Sequence, residues 1–121
     1  MVKVLKKVLT IWKQRKLKHL TLDTRHVQKH LPGTGQAERL IQKEGAAHVF
    51  QDEVTMKRVA EAIKERGEYN GVVRGHERWG LQFNEPIGYR INRAGDRLPL
   101  YYGEMKIQGG KYHVIPRTCP S

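Results

Sequence analysis

The residues best suited to chemistry in this sequence are two histidines set among arginines. His48 lies in Ala47-His48-Val49-Phe50, and His113 in Tyr112-His113-Val114-Ile115-Pro116-Arg117-Thr118. Between them run Arg74, Arg78, Arg90, Arg93 and Arg97, with few carboxylates to neutralise them. Imidazole exchanges protons near neutral pH, and guanidinium clamps phosphate through paired donors. Cleavage of a phosphodiester without a metal needs both capacities. On RNA, a neutral base takes the 2′-OH proton and a protonated acid supplies the leaving 5′-oxygen. Arginine then stabilises the charged phosphorane. His48 and His113 each suit either proton role, and Arg117 is the arginine next to His113 in the chain.

Other chemistries are poorly supported. His26 and His30 stand at i, i+4, which places them on one face of a helix, but no spaced carboxylate or cysteine ligands accompany them. They read as a solvated pair, and neither a metal nor a cofactor is expected. Gly33-Thr34-Gly35 is a fragment of a phosphate loop without the following Lys-Ser/Thr or a preceding strand. Glu104 reads as a counter-charge to the nearby arginines rather than as an acid paired with Glu85. Trp79 and Tyr89 fall at core positions. A switch of strand face near Tyr101 and Tyr102 should expose one of them to stack a base, and Tyr101 is taken as that residue.

The elements that must position these residues fall into two halves. Val4, Leu5, Val8, Leu9 and Trp12 recur at helical spacing among lysines, so residues 2–20 read as a basic amphipathic helix. Thr21 to His30 read as a polar linker, closed by a turn at Leu31-Pro32-Gly33-Thr34-Gly35. A short helix at about 35–44 stops at Gly45. A longer one at about 53–66 starts from an Asp52 cap and stops at Gly67. After Gly67 the period changes to two. Strands are expected near 71–75, 79–83, 87–91, 98–108 and 112–117, with turns at Asn92–Asp96 and Gly109-Gly110 and a bulge near Tyr101.

This pattern predicts an α+β fold with N-terminal helices packed on a four- to five-stranded antiparallel meander and no strand before residue 67. Residues 1–30 form the basic helix and linker, and 31–121 a single domain. Alternation along the last strand puts His113, Ile115 and Arg117 on one face. Arg78 and Arg90 lie opposite the apolar faces of their own strands, so a wet cationic sheet face is expected.

Charge points the same way. The 121 residues carry a net charge of +11. Residues 1–30 hold nine basic residues against one Asp, leaving only +3 for the rest. A basic block of this kind attracts RNA or an acidic partner. Cys119 is the single cysteine, which excludes an intramolecular disulfide and fits a reducing compartment. No apolar run approaches the roughly 20 residues of a transmembrane segment, and the first nine residues make no convincing signal peptide.

The order His48-x-Phe50, helix, Gly71…Arg74-Gly75, then a glycine-rich meander ending Tyr112-His113-Val114-Ile115-Pro116-Arg117-Thr118 resembles small toxin ribonucleases. These are the colicin D and contact-dependent-inhibition type, within the barnase, EndoU, colicin E5/D and RelE superfamily. The similarity covers about residues 31–121 and is one of architecture and scattered residues. In colicin D-like domains the catalytic histidine lies just before a helix that precedes the sheet, and His48 matches that position. The lysines around that histidine have no clear counterpart; Lys43 is the nearest. The glycine-histidine signature of EndoU is absent, and the first thirty residues have no assigned counterpart.

The resemblance implies cleavage of RNA, often tRNA, without metal, leaving a cyclic phosphate. It also implies an acidic immunity protein as partner and action in a cytoplasm, either the producer's or that of a target cell. The expected site then has His48, His113 and Arg117 as catalytic residues, with Arg74, Arg78, Arg90, Thr118, Tyr101 and Lys43 on the RNA. Two alternatives use the same charge without catalysis: a nucleic-acid-binding module, and a protein-interaction domain for an acidic partner.

Overall fold

The structure, a computed structural model, describes residues 16–121. The basic helix expected over residues 2–20 lies almost wholly outside the described residues. Two helices follow the expected pattern. In α1 (Gly35–Glu44) the Thr34 hydroxyl accepts from the Ala37 N–H, Ala37 and Ile41 face inward, and Gly45 closes the helix at φ 91°. In α2 (Glu53–Arg66) the Asp52 carboxylate accepts from the Thr55 N–H at 2.7 Å. Its buried stripe is Met56, Val59, Ala60 and Ile63.

Eight strands complete the fold: β1 (Thr21–Leu22), β2 (Ala46–Phe50), β3 (Glu68–Val73), β4 (His76–Gln82), β5 (Gly88–Asn92), β6 (Arg97–Leu100), β7 (Tyr102–Gln108) and β8 (Lys111–Arg117). The class is α+β as expected, but the strands divide into two sheets. One has the order β1-β8-β7-β4-β3 and the other β2-β5-β6. All pairings are antiparallel except β1 with β8. Two strands therefore precede residue 67, contrary to expectation. β2 is a run of five residues whose apolar members alternate too briefly to separate from the neighbouring helices by period alone.

Nor is the C-terminal half a simple meander. β4 pairs with β7, while β5 leaves the large sheet to pair with β2 and β6 pairs with β5. The expected long strand over 98–108 breaks at Tyr101, so β6 serves the small sheet and β7 the large one. The turn of the β7–β8 hairpin is Gly109-Gly110, with φ of 59° and 76°. Positive φ at both central residues matches the right-handed strand twist, and glycine adopts it without strain.

The main core lies between α2 and one face of the large sheet. Trp79, Met105, Tyr112 and Val114 pack with Met56, Val59, Ala60 and Ile63. A smaller cluster of Ala37, Ile41, Ala47 and Val49 joins α1 to β2. The segment expected as a polar linker belongs to the body: Val27 is in the main core, Leu22 packs against it, and Leu17 and Leu31 on either side of the segment are core residues too. Between them β1 pairs with β8, and two consecutive 3-10 turns, Thr24–His26 and Gln28–His30, follow. Among the described residues no helix is long and apolar enough to cross a membrane.

Candidate functional site

The face of the large sheet turned away from α2 carries the titratable residues. Register sets them in rows, since directly paired residues share a face. Lys106 on β7 stands between His113 on β8 and Arg78 on β4. One row along, Glu104 stands between Ile115 and Gly80, and beyond it Tyr102 between Arg117 and Gln82. Alternation along β8 does place His113 and Arg117 together.

The 3-10 turns lay two more imidazoles against His113. The His26 ring stacks on the His113 ring with centroids 4.4 Å apart, and the His30 ring lies parallel to it at 6.4 Å. The i, i+4 spacing of His26 and His30 does put both on one side, as on a helix, but that side faces the sheet. His30 and His113 are each 7% exposed, whereas the His26 side chain keeps 34%. The Asp23 carboxylate lies 3.8 Å from His26 Nε2 and is held well below the usual carboxylate range, chiefly by its hydrogen bonds from Arg25.

A chain of hydrogen bonds ties His48 to this cluster. His30 Nδ1 donates to the His48 carbonyl at 2.9 Å, and His48 Nδ1 donates to the Pro116 carbonyl at 3.1 Å. Because a carbonyl only accepts, each neutral ring carries its proton on Nδ1 and a lone pair on Nε2. His30 Nε2 is buried with no partner among the described residues. On the small sheet His48 is paired with Arg90, and the charges of Arg90 and Arg117 both act on it. His48 thus lies on a strand just before α2, and it reaches β8 through Pro116.

Burial first, and then neighbouring cations, lower the pKa of every imidazole here. His30 is pushed down to about 4 and His113 to about 3. His26 and His48 move in the same direction for the same first reason, and burial also lowers Lys106, helped by Arg78 and Arg117. At neutral pH this patch holds uncharged imidazoles among fixed cations.

Its anchor is Glu104, which is fully buried. It accepts from Arg78 Nη1 at 2.9 Å and from the Ser121 hydroxyl and N–H at 2.8 and 3.1 Å, with Arg117 Nη1 at 3.6 Å. Arg78, 4% exposed, also donates to the Val73 carbonyl, so its guanidinium is committed inside the protein. Arg117 is only half-buried, and among the described residues its one ion pair is the 3.6 Å contact with Glu104. Tyr102 takes a hydrogen bond from Asn70 at 2.8 Å.

The remaining residues of the expected site are scattered. Arg74 sits on the exposed β3–β4 turn at φ 52°, and Thr118 is exposed just after β8. Tyr101 is exposed at the break between β6 and β7, and Lys43 is exposed on the last turn of α1. Sequence reasoning read His26 and His30 as a solvated pair, whereas His30 is buried against the sheet, and it passed over Lys106. A signal for Lys106 was present: counting back across the Gly109-Gly110 turn sets it opposite His113.

Fold and site together define an α+β domain in which one sheet face, covered by the 3-10 turns, bears stacked imidazoles among cations. The chain belongs to the family described as domain of unknown function DUF6972, which matches residues 18–121. That span takes in the 3-10 turns as well as both sheets. No curated protein matches the chain. A chain of the crystal structure of the CdiA-CT/CdiI complex from Y. kristensenii 33638 is similar, with 21% identity and a TM-score of 0.49. The similarity covers 76% of this chain and 98% of that one.

Proposed function

We propose that this protein is a metal-independent endoribonuclease of toxin type. The observation that carries the reading is the His26–His113 stack at 4.4 Å, beside Lys106 on a sheet face that also holds Arg117. His26 is the partly exposed imidazole of the stack and is uncharged at neutral pH, the form a base needs to take the 2′-OH proton. Lys106, whose pKa burial lowers, supplies the proton to the leaving 5′-oxygen. Arg117 stabilises the phosphorane. His113 is a positioning residue that holds the His26 ring. His48, with Arg90 and Arg117 near it, orients the phosphate from the small-sheet side. The products are a 2′,3′-cyclic phosphate and a 5′-hydroxyl. Such an enzyme acts in a cytoplasm, and its cationic face would accept an acidic immunity protein.

The test is incubation of the full chain with total RNA in EDTA, followed by analysis of product ends. Cleavage with cyclic phosphate ends is expected. His26→Ala and Lys106→Met should each slow it by roughly two or more orders of magnitude, the usual loss for a general acid or base. His113→Phe, which preserves a flat ring under His26, should cost far less than His113→Ala. RNA left intact under all conditions overturns catalysis and leaves a nucleic-acid-binding module. Loss of cleavage with His48→Ala but not with His26→Ala would move the base to His48.

A further inference from the structure

Beyond the imidazole cluster, α1 turns a second row of side chains outward. Gln36, Arg39, Leu40 and Lys43 follow i, i+3, i+4, i+7 spacing, so one helix face carries them, away from the inward Ala37 and Ile41. With Lys29 from the second 3-10 turn they line a shallow groove of about 300 Å³. Three of its five lining residues are cations and none is a carboxylate. Among the described residues, Lys29, Arg39 and Lys43 make no ion pair. Like charges gathered without counter-charge repel one another and favour a bound polyanion.

The groove meets the site already described at Lys29, which neighbours His30 in the second 3-10 turn. The charge of Lys29 acts on His26, His30, His113 and Lys106, so the same lysine that lines the groove also borders the stack. Arg39 and Lys43 are one helical turn apart, roughly 5–6 Å between Cβ atoms, a spacing that lets them serve neighbouring phosphates of one strand. A guanidinium engages phosphate through two donors and an ammonium as a point charge. Leu40, partly buried against the small core cluster, and Gln36 lie in the same row and leave an apolar edge and an amide for a ribose or base.

We infer that this groove is a second phosphate subsite, taking the backbone of single-stranded RNA one or more nucleotides away from the bond held at His26. Arg39 and Lys43 bind neighbouring phosphates, and Lys29 bridges the groove to the stack. The direction of the strand rests on the ribonuclease reading, whereas the groove's affinity does not. The substrate class that follows is an oligonucleotide long enough to reach from the stack to α1, so a dinucleotide gains nothing from the groove.

The experiment measures binding of 2′-O-methyl oligonucleotides, which lack the attacking hydroxyl, to the full chain by fluorescence anisotropy at several salt concentrations. Probes are a hexamer and a dinucleotide, and the variant is Arg39→Ala/Lys43→Ala. Both positions are exposed on a helix that alanine supports, and unchanged melting verifies the fold. The variant should bind the hexamer about tenfold more weakly, and its log–log salt slope should fall by about 1.4, or about 0.7 for each of two lost phosphates. Dinucleotide affinity should change less than twofold. Arg58→Ala/Arg66→Ala, which removes equal charge from α2, should change hexamer affinity less than twofold.

An unchanged hexamer affinity and slope in the α1 variant overturns the subsite, even if the protein cleaves RNA. An equal loss in both double variants also overturns it, because bulk charge then explains binding. Selective hexamer loss in a protein that cleaves no RNA upholds the subsite and rejects the ribonuclease. If the groove takes polyglutamate but no hexamer, it docks an acidic protein and the inference fails.

Discussion

Glu104 is a single carboxylate, fully buried, on which Arg78, Arg117 and Ser121 converge. Desolvating a charge pair is costly, and removing one partner strands the other in a low-dielectric interior. The Arg78 Nε is buried without a partner among the described residues, so this guanidinium makes fewer bonds than it could. Glu104→Gln keeps the shape but leaves Arg78 without a counter-charge. It should destabilise the protein by about 3–5 kcal/mol in denaturant unfolding. Adding Arg78→Met to Glu104→Gln should recover part of that loss. If the double variant is no more stable than the single, the pair is not the unit and the Ser121 contacts carry the effect. Arg117 should lose orientation in either variant, because Glu104 is its only ion-pair partner among the described residues.

At the scale of elements, the small sheet depends on one close approach. Gly88 on β5 pairs with Phe50 on β2, and a Cβ there would run into the Val49 carbonyl and the Phe50 backbone. Neither can give way without parting the strands, and β2 carries His48. Gly88→Ala should therefore cost roughly 1–3 kcal/mol or more, which for a domain of this size lowers Tm by several degrees for each kcal/mol. Gly35→Ala is the contrast: it stands at the start of α1 with only the Arg39 guanidinium nearby, at 3.8 Å, and should be neutral or slightly stabilising. Equal Tm values for Gly88→Ala and the native protein would show that the two strands do not pack as closely as described. The break at Tyr101 matters in the same way, since β6 and β7 carry one run of sequence into two sheets.

For the whole molecule, the buried imidazoles make stability depend on pH. The folded-state pKa values of His30 and His113, about 4 and about 3, lie below the ordinary value of 6.5. A depressed histidine is neutral in the folded state, while the unfolded chain takes up a proton. Stability is therefore full above about pH 6.5 and falls as pH drops toward the folded-state values. Between pH 7.5 and 5 carboxylates contribute little, so the histidines dominate the loss, on the order of a few kcal/mol in total. Urea midpoints at pH 7.5, 6 and 5 should decline steadily, and less steeply for His113→Phe. A midpoint constant over that range would mean that the imidazoles are wetter than the stack implies.

Local sequence determined the parts of this protein whose causes are local. The caps at Thr34 and Asp52, the stops at Gly45 and Gly67, the stripe Met56, Val59, Ala60 and Ile63, and the Gly109-Gly110 hairpin all follow from residues within a few positions. So does the alternation that sets His113 with Arg117. Tertiary structure alone decided which strands share a sheet. It sent β5 and β6 to the sheet of β2, and it turned an apparent linker into a strand and two 3-10 turns against β8. Those choices depend on contacts distant in sequence, such as His30 with the His48 carbonyl and β1 with β8, which no period of three or two residues records. The stacked imidazoles belong to that second group. His26 and His30 are polar residues in a polar stretch, and only the sheet beneath them makes them part of a site.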